Sequence, residues 1–240
     1  MTLPRAILFD LDDTILSAYS RPHLAWGKVA ASFAAELAPL DPARVAEAIT
    51  ASGQSFWSDP ARHKYWRQRP AESRLRVVVG GFAELAAAGH PPLPADLAER
   101  MAQRFTTLRE EEMHLFPGAV DTLVRLGELD VRMALVTNGP AEVQRAKILR
   151  FELERHFVHI QIEGEHGFGK PEERAYTHAM ETLNVTPAET WMVGDNLEWE
   201  VAAPQRLGIY SIWHDPHEMG LPEASSVKPD RIIRSLTELL

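Results

Sequence analysis

The stretch ILFDLDDTIL, residues 7–16, runs from an apolar segment of strand length straight into three carboxylates within four positions, Asp10, Asp12 and Asp13. A solvated, Asp-rich turn is the plain reading of such a cluster. Against it stands the cost of charge at the end of a buried strand: an ionised carboxylate in an apolar setting is unfavourable. Several together repel one another unless a cation or a reaction uses them. What the rest of the chain brings to the same place decides between the two.

Further apolar runs of strand length are VRMALV (131–136), HIQIE (159–163), TWMVG (190–194), IYSIW (209–213) and RIIR (231–234), in addition to AILF (6–9). Helical patterns lie between the middle ones, over 141–149, 172–183 and 198–207. Alternation of this kind predicts an α/β fold, a doubly wound, Rossmann-like parallel sheet covered on both faces. The interval 17–115 reads differently. It holds Ala-rich helical stretches such as HLAWGKVAASFAAELAPL and LRVVVGGFAELAAAG, punctuated by Pro39, Pro42, Pro60, Pro70 and the group Pro91, Pro92 and Pro94. We therefore expect an α/β core from 1–16 and 116–240, with an all-helical domain inserted at 17–115.

Composition limits the function classes. A chain of 240 residues with 45% hydrophobic and 25% charged residues can bury a sizeable core as an ordinary globular protein. Its formal net charge of −9 disfavours a surface given over to a polyanion, so no nucleic-acid partner is expected. With no cysteine, disulfides, thiolate metal sites and a cysteine nucleophile are excluded. The opening MTLPRAILFD lacks a signal-like pattern, and no run reaches the roughly 18 apolar residues of a membrane span. The expectation is a cytoplasmic protein without a membrane partner.

In an open parallel sheet, ligands bind outside the carboxyl ends of the strands, where loops and helix N-termini converge. Asp10, Asp12 and Thr14 follow the first strand; Thr137, Asn138 and Gly139 end the run at 131–136; Gly194, Asp195 and Asn196 end the run at 190–194. Lys170 and Pro171 stand at the entrance to the helical pattern beginning at 172. Taken singly, each group could be a turn, a helix cap or an exposed lysine. Together they supply the hydroxyl, amide and ammonium donors that a phosphate needs, and the carboxylates that a hard cation needs. The absence of cysteine and of any paired-histidine spacing likewise favours Mg2+ over zinc.

Asp10-Leu11-Asp12-Asp13-Thr14, Thr137, Lys170 and Gly194-Asp195, in that order, resemble the four motifs of the haloacid dehalogenase-like (HAD) hydrolase superfamily. The insert after the first motif is similar to the cap of its helical-cap branch. The resemblance implies a phosphatase of the phosphoaspartate type. Asp10 would be the nucleophile and Asp12 the general acid and base. Thr137 and the amide of Asn138 would bind the phosphoryl group, and Lys170 would offset negative charge. Mg2+ would be held by Asp10, Asp195 and the main-chain carbonyl of Asp12. Glu200 is the candidate for added metal support, with Glu198 as its rival, because the run GDNLEWEV has Glu where an Asp is usual in the family. Asp13 is read as a turn residue.

The substrate implied is a small phosphorylated metabolite, a sugar phosphate or a nucleotide. In the insert, FWSDPARHKYWRQR (56–69) offers Trp57 and Arg67 as candidate substrate contacts, although aromatic residues in a helical domain more often pack. Three alternatives stand beside this reading: a phosphomutase, a 2-haloacid dehalogenase of the same superfamily, and a non-catalytic binding protein on the same fold. Asp12 argues against the dehalogenase, which has no leaving alkoxide to protonate.

Overall fold

The computed structural model of the protein describes residues 2–18 and 21–240, so Met1, Tyr19 and Ser20, which fall inside the expected domain ranges, lie outside the described residues. The chain divides into two compact units, one of Met1–Ser17 with His114–Leu240 and one of Ala18–Met113.

In the first unit the strands are β1 (Ala6–Phe9), β2 (Leu16–Ser17), β3 (His114–Leu115), β4 (Arg132–Thr137), β5 (His159–Ile162), β6 (Thr190–Gly194), β7 (Tyr210–His214) and β8 (Arg231–Ile233). Six of them form a sheet in the order β5-β4-β1-β6-β7-β8. Every pairing in it is parallel. This is the expected doubly wound α/β core. β1 has 0% exposure at all four residues, which is what an uninterrupted apolar run should show when both sheet faces are covered. Ala6, Leu8, Ala134, Val136 and Met192 share one apolar cluster with Ala175, Tyr176, Ala179 and Met180 of the helix Glu173–Leu183.

The topology decides where the site lies. From β1 the sequence moves outward through β4 to β5 on one side, then returns to β6 on the other, so the order reverses at β1. Loops leaving the carboxyl ends of β1, β4 and β6 diverge there and open the crevice where such sheets bind ligands. β2 and β3 form a separate antiparallel pair, Leu16 opposite Leu115 and Ser17 opposite His114, between which the second unit is inserted.

Several boundaries differ from the sequence expectation for local reasons. β4 begins at Arg132 because Asp130 takes a left-handed conformation (φ 57°) and the Val131 amide donates to the Leu126 carbonyl at 3.0 Å, closing the preceding helix. β7 likewise begins at Tyr210, since the Ile209 amide is held by the Pro204 carbonyl at 3.1 Å. The helix expected over 198–207 is instead a π-helical turn, Leu197–Ala202, followed by the short helix Ala203–Gln205. Asn196 starts that turn by accepting from the amides of both Glu198 and Trp199 at 3.0 Å.

The second unit is helical, with Pro22–Ser32, Ala34–Leu37, Pro42–Trp57, Pro60–Trp66, Pro70–Ala87 and Ala95–Glu112. Pro22, Pro42, Pro60 and Pro70 each sit in the first turn of a helix, where the missing amide proton costs nothing. The single pattern over 23–40 is broken at Phe33, whose backbone leaves the helical region (φ −108°, ψ 17°). Trp26 stacks on Phe105 with ring centroids 3.9 Å apart inside the apolar core of this unit. No described helix in either unit is long and apolar enough to cross a membrane.

The helices Pro42–Trp57 and Pro70–Ala87 approach closely at Gly81, where an added Cβ would stand 2.8 Å from the backbone of Ile49. Backbone cannot rotate away, so overpacking of about 1–3 kcal/mol is expected there. That exceeds the roughly 1 kcal/mol by which alanine ordinarily favours a helix over glycine. Gly81→Ala should therefore lower the thermal midpoint of unfolding. A raised midpoint would show that the helices do not meet as closely as described.

Candidate active site

Asp10 is placed by the end of β1, its amide bonded to the Val193 carbonyl of β6 at 3.0 Å. Its carboxylate meets two donors: Lys170 Nζ lies 2.5 Å from Oδ1, and the Thr14 hydroxyl donates to Oδ2 at 3.3 Å. Lys170 is itself 1% exposed and makes a second ion pair, 2.8 Å from Glu200 Oε1. Burial alone would drive its proton off; the charges of Asp10 and Glu200 outweigh burial and hold the ammonium above its ordinary pKa.

The lysine is fixed through its backbone as well. Asn138, after β4, donates from Nδ2 to the Lys170 carbonyl at 2.8 Å and accepts from the Lys170 amide at 2.9 Å. Glu163, at the end of β5, accepts from the Gly139 amide at 3.1 Å. Gly169 lies against both, since a Cβ there would be 2.5 Å from Asn138 Oδ1 and 2.9 Å from Glu163. The Asn138 side chain is thus occupied in tying two loops together, leaving its main-chain amide as the group to consider for phosphate.

Asp12 faces a different set. Both of its oxygens lie 2.7 Å from Lys147 Nζ, and Oδ2 also accepts from Gln144 Nε2 at 3.0 Å. The same Gln144 amide nitrogen donates to the Thr137 hydroxyl at 2.5 Å. Gln144 and Lys147 are 1% and 6% exposed on the helix Ala141–Arg150, one turn apart, so they reach the same spot.

Around Asp195 the surroundings are acidic. Burial pushes its carboxyl well above the usual range, and the charges of Glu200, Asp10 and Asp13 add to the effect while Lys170 opposes it. Burial likewise raises the Asp10 carboxyl, partly offset by Lys170 and reinforced by Asp12. For Glu200, burial and then the charge of Asp10 outweigh Lys170 and push the carboxyl up to about 7. An all-oxygen set in which every carboxylate disfavours its neighbours' ionisation suits a hard dication, which would relieve them together. The residues present fit Mg2+.

The two acidic candidates after Gly194-Asp195 part company. Glu198 is exposed and pairs with Arg206 at 2.8 Å. Glu200 is buried, with Oε1 on Lys170 and Oε2 accepting from the Asn196 amide at 2.7 Å. With Oε1 on Lys170 and Oε2 on the Asn196 amide, Glu200 braces the lysine and the Asp195 loop. Asp13 adopts a left-handed turn (φ 59°), as a turn residue should, yet it is 5% exposed and its charge is felt at Asp195.

Asp10, Asp12, Thr137, Asn138, Lys170, Asp195 and Glu200 all belong to the α/β unit and are linked by these contacts and charges. Trp57 and Arg67 belong to the helical unit. There Trp57 packs edge-on against Phe56 at 5.0 Å, and the Arg67 amide caps the helix Pro60–Trp66 by donating to the His63 carbonyl at 2.9 Å. Sequence reasoning missed Gln144, Lys147 and Glu163. A polar pair three residues apart within an otherwise apolar helix face was the available signal for the first two. It also missed His214, 1% exposed, whose Nδ1–H donates to the Asp13 carbonyl at 3.2 Å and whose pKa burial pulls down to about 4.

Comparison with known proteins was made by sequence and by structure. A family model described as haloacid dehalogenase-like hydrolase matches residues 4–208. Phosphoserine phosphatase from Thermus thermophilus is 31% identical over 185 residues, covering 76% of this chain and 65% of that protein. Glyceraldehyde 3-phosphate phosphatase from Pyrococcus abyssi is 34% identical over 110 residues, covering 46% of this chain and 44% of that protein. The matched segments thus span less than two thirds of either relative's own length. A crystal structure of the HAD-hydrolase YfnB from Bacillus subtilis, bound to magnesium, superposes with a TM-score of 0.71 at 23% identity, covering 99% of this chain and 97% of that one. At that identity the likeness is one of fold.

Removing the Glu200 carboxylate should loosen the site mechanically. Glu200→Ala leaves the Asn196 amide and one side of the buried Lys170 ammonium without their partner, a loss of about 1–3 kcal/mol. Glu200→Gln keeps one acceptor oxygen and turns a donor NH2 toward the other partner, so it should recover only part of it. Equal denaturation midpoints for the wild type and Glu200→Ala would contradict the brace.

Proposed function

The chain belongs to the haloacid dehalogenase-like hydrolase family, and we propose that within it the protein is a Mg2+-dependent phosphatase that hydrolyses a small phosphorylated metabolite through an aspartyl phosphate on Asp10. The observation that carries this reading is the pair of differently held carboxylates two residues apart. Asp10 is clamped by Lys170 at 2.5 Å, and Asp12 stands in a separate pair with Lys147 at 2.7 Å. A reaction that needs one anionic nucleophile and one proton carrier needs that division of labour. The names of the two phosphatase relatives support a small phosphorylated metabolite as substrate, and our reading of it is a sugar phosphate or a nucleotide.

In the first step an Asp10 oxygen attacks phosphorus, a bond forms between them, and the bond from phosphorus to the ester oxygen breaks. Asp12, having exchanged Lys147 for a proton from solvent, delivers that proton to the departing alkoxide. In the second step Asp12, now a carboxylate, removes a proton from water, whose oxygen attacks phosphorus and frees Asp10 and inorganic phosphate. Lys170 lowers the cost of bringing a phosphoryl dianion to Asp10. Gln144 donates to the Thr137 oxygen, which leaves the Thr137 hydroxyl proton to point at a phosphoryl oxygen, beside the amide of Asn138. Lys147 and Gln144 act as positioning residues for Asp12, which exchanges them for the leaving group when it donates its proton. Mg2+, held by Asp10, Asp195 and the main-chain carbonyl of Asp12, would neutralise the excess carboxylate charge and polarise the phosphoryl group. The helical unit is read as a cap that selects the leaving group, with Trp57 and Arg67 as candidate contacts.

Asp10→Asn keeps the shape of the side chain and removes the attacking anion, so turnover of a phosphomonoester panel should fall to background. Full activity in this variant would sink the mechanism. Asp12→Ala should lose on the order of 10² to 10⁴ in rate with alkyl phosphates. With an aryl phosphate the loss should be smaller, because a phenolate departs with little protonation. Phosphorylated Asp10 should then accumulate and be detected by mass spectrometry after an acid quench. Release of halide from a 2-haloacid without phosphatase activity would favour the dehalogenase instead.

Exhaustive chelation should abolish hydrolysis, with Mg2+ restoring it. Asp195→Ala should cost more activity than Glu200→Ala, since Glu200 stands, one methylene longer, where the family usually has an Asp. Activity indifferent to chelation would remove the metal from the proposal. Trp57→Ala and Arg67→Ala should reorder preferences across the substrate panel, and an unchanged ranking would take those two residues out of substrate recognition.

A further inference from the structure

Away from the carboxylate cluster, the α/β unit gathers three histidines that the proposed reaction does not use. His159 opens β5, the edge strand of the sheet; His166 ends the helical turn Glu163–His166; His178 lies mid-way along the helix Glu173–Leu183. One ring nitrogen from each lies within 4.8 Å of the other two, and all three side chains are half-buried. Their spacing, seven and then twelve residues, gives no metal motif in the sequence. The fold alone assembles them, and it amends the expectation that the chain lacks a histidine metal set.

The hydrogen bonds around the group fix which nitrogens hold protons. Gln161 Nε2 donates to the Ala175 carbonyl at 2.7 Å, which turns its Oε1 toward His178 Nδ1 at 2.8 Å. An amide oxygen only accepts, so His178 carries its proton on Nδ1. His166 Nδ1 faces the Ile162 carbonyl at 3.1 Å, with the same consequence. The nitrogen left with a lone pair is Nε2 in both rings. His159 Nε2 is buried from solvent and has no hydrogen-bond partner. Two of the rings thus keep Nε2 lone pairs and the third has an orphaned Nε2, with no donor recorded among them. A cation is the partner that satisfies all three at once.

We propose that His159, His166 and His178 form a second metal site, for a borderline transition-metal dication such as Zn2+, with a fourth position left to a water. Imidazole suits Zn2+, Ni2+ or Cu2+, and it is a poor ligand set for Mg2+, so the two sites differ in chemistry as well as place. The Nδ1–H to carbonyl contacts are the outer-shell partners that ligating histidines usually have. Tetrahedral zinc at about 2.0–2.1 Å from each nitrogen puts the nitrogens roughly 3.3–3.4 Å apart, so the rings close by the order of 1 Å on binding. An ion there ties the edge strand to the helices on either side of the loop carrying Lys170.

The test is a Zn2+ titration of the full chain by calorimetry in saturating Mg2+, which keeps the oxygen site filled. One equivalent of Zn2+ should bind, and His159→Gln and His178→Gln should each weaken it at least tenfold. Gln161→Leu, which alters no ligand, should weaken it by roughly 10- to 100-fold. Co2+ added to the wild type under the same conditions needs no variant and should give the intense visible absorption of a tetrahedral, nitrogen-ligated ion. Absence of Zn2+ binding overturns the site. So does equal affinity in the histidine variants, or a Co2+ spectrum showing only the weak bands of an octahedral oxygen set.

Discussion

The arrangement depends on one ammonium shared by two carboxylates at the end of the sheet. Lys170 is almost wholly buried and pairs with Asp10 and Glu200 at 2.5 and 2.8 Å. A lysine so placed without partners would lose its proton, and either carboxylate so placed alone would gain one. Together they can stay charged, because each supplies what burial withholds from the others. The triad joins three separate stretches: Asp10 leaves the central strand, Lys170 follows the edge strand, and Glu200 rides on the π-helical turn after β6.

That junction explains features that otherwise look like loop detail. Asn138 must bind the Lys170 backbone in both directions, because a lysine swung by a loose loop could not hold a 2.5 Å contact. Gly169 must lack a side chain, because Asn138 and Glu163 occupy the space. In the π-helical turn the Glu200 amide donates to the Asn196 carbonyl at 2.8 Å, and the Glu200 side chain reaches back to both the Asn196 amide and Lys170. π-helical turns tend to occur at functional sites.

Much of this was legible before the coordinates. Strand residues such as those of β1 announce themselves because a strand buried on both faces must be apolar throughout; Asp10, Thr137 and Asp195 stand out because they end or closely follow such runs, and Lys170 because its Lys-Pro pair opens a helical pattern. Lys147 and Gln144 did not, because a helix has no such boundary: an inward-facing polar residue there looks like any other break in an amphipathic pattern. Glu200 was legible as an acidic residue at the right distance but not as a brace, since that depends on Lys170 and the Asn196 amide meeting its two oxygens, which residue spacing does not reveal. The three histidines were silent for a similar reason. They come from a strand, a turn and a helix whose mutual placement is a tertiary fact.

The fold is shared by enzymes of different chemistry, so the reaction must be argued from side chains. Gln144 is where two parts of the proposed reaction meet. Its amide nitrogen has two protons, and it gives one to the Thr137 oxygen at 2.5 Å and the other to Asp12 at 3.0 Å. Thr137, having accepted, has its own proton to offer a phosphoryl oxygen. A phosphate that draws the Thr137 hydroxyl toward itself therefore pulls on the same amide that steadies Asp12, while Lys147 holds the carboxylate from its other side. In the proposed reaction, occupation of the phosphate position and release of the acid/base would in this way be coupled through one buried side chain. A dehalogenase has no use for that linkage, because its leaving group departs as halide and asks for no proton.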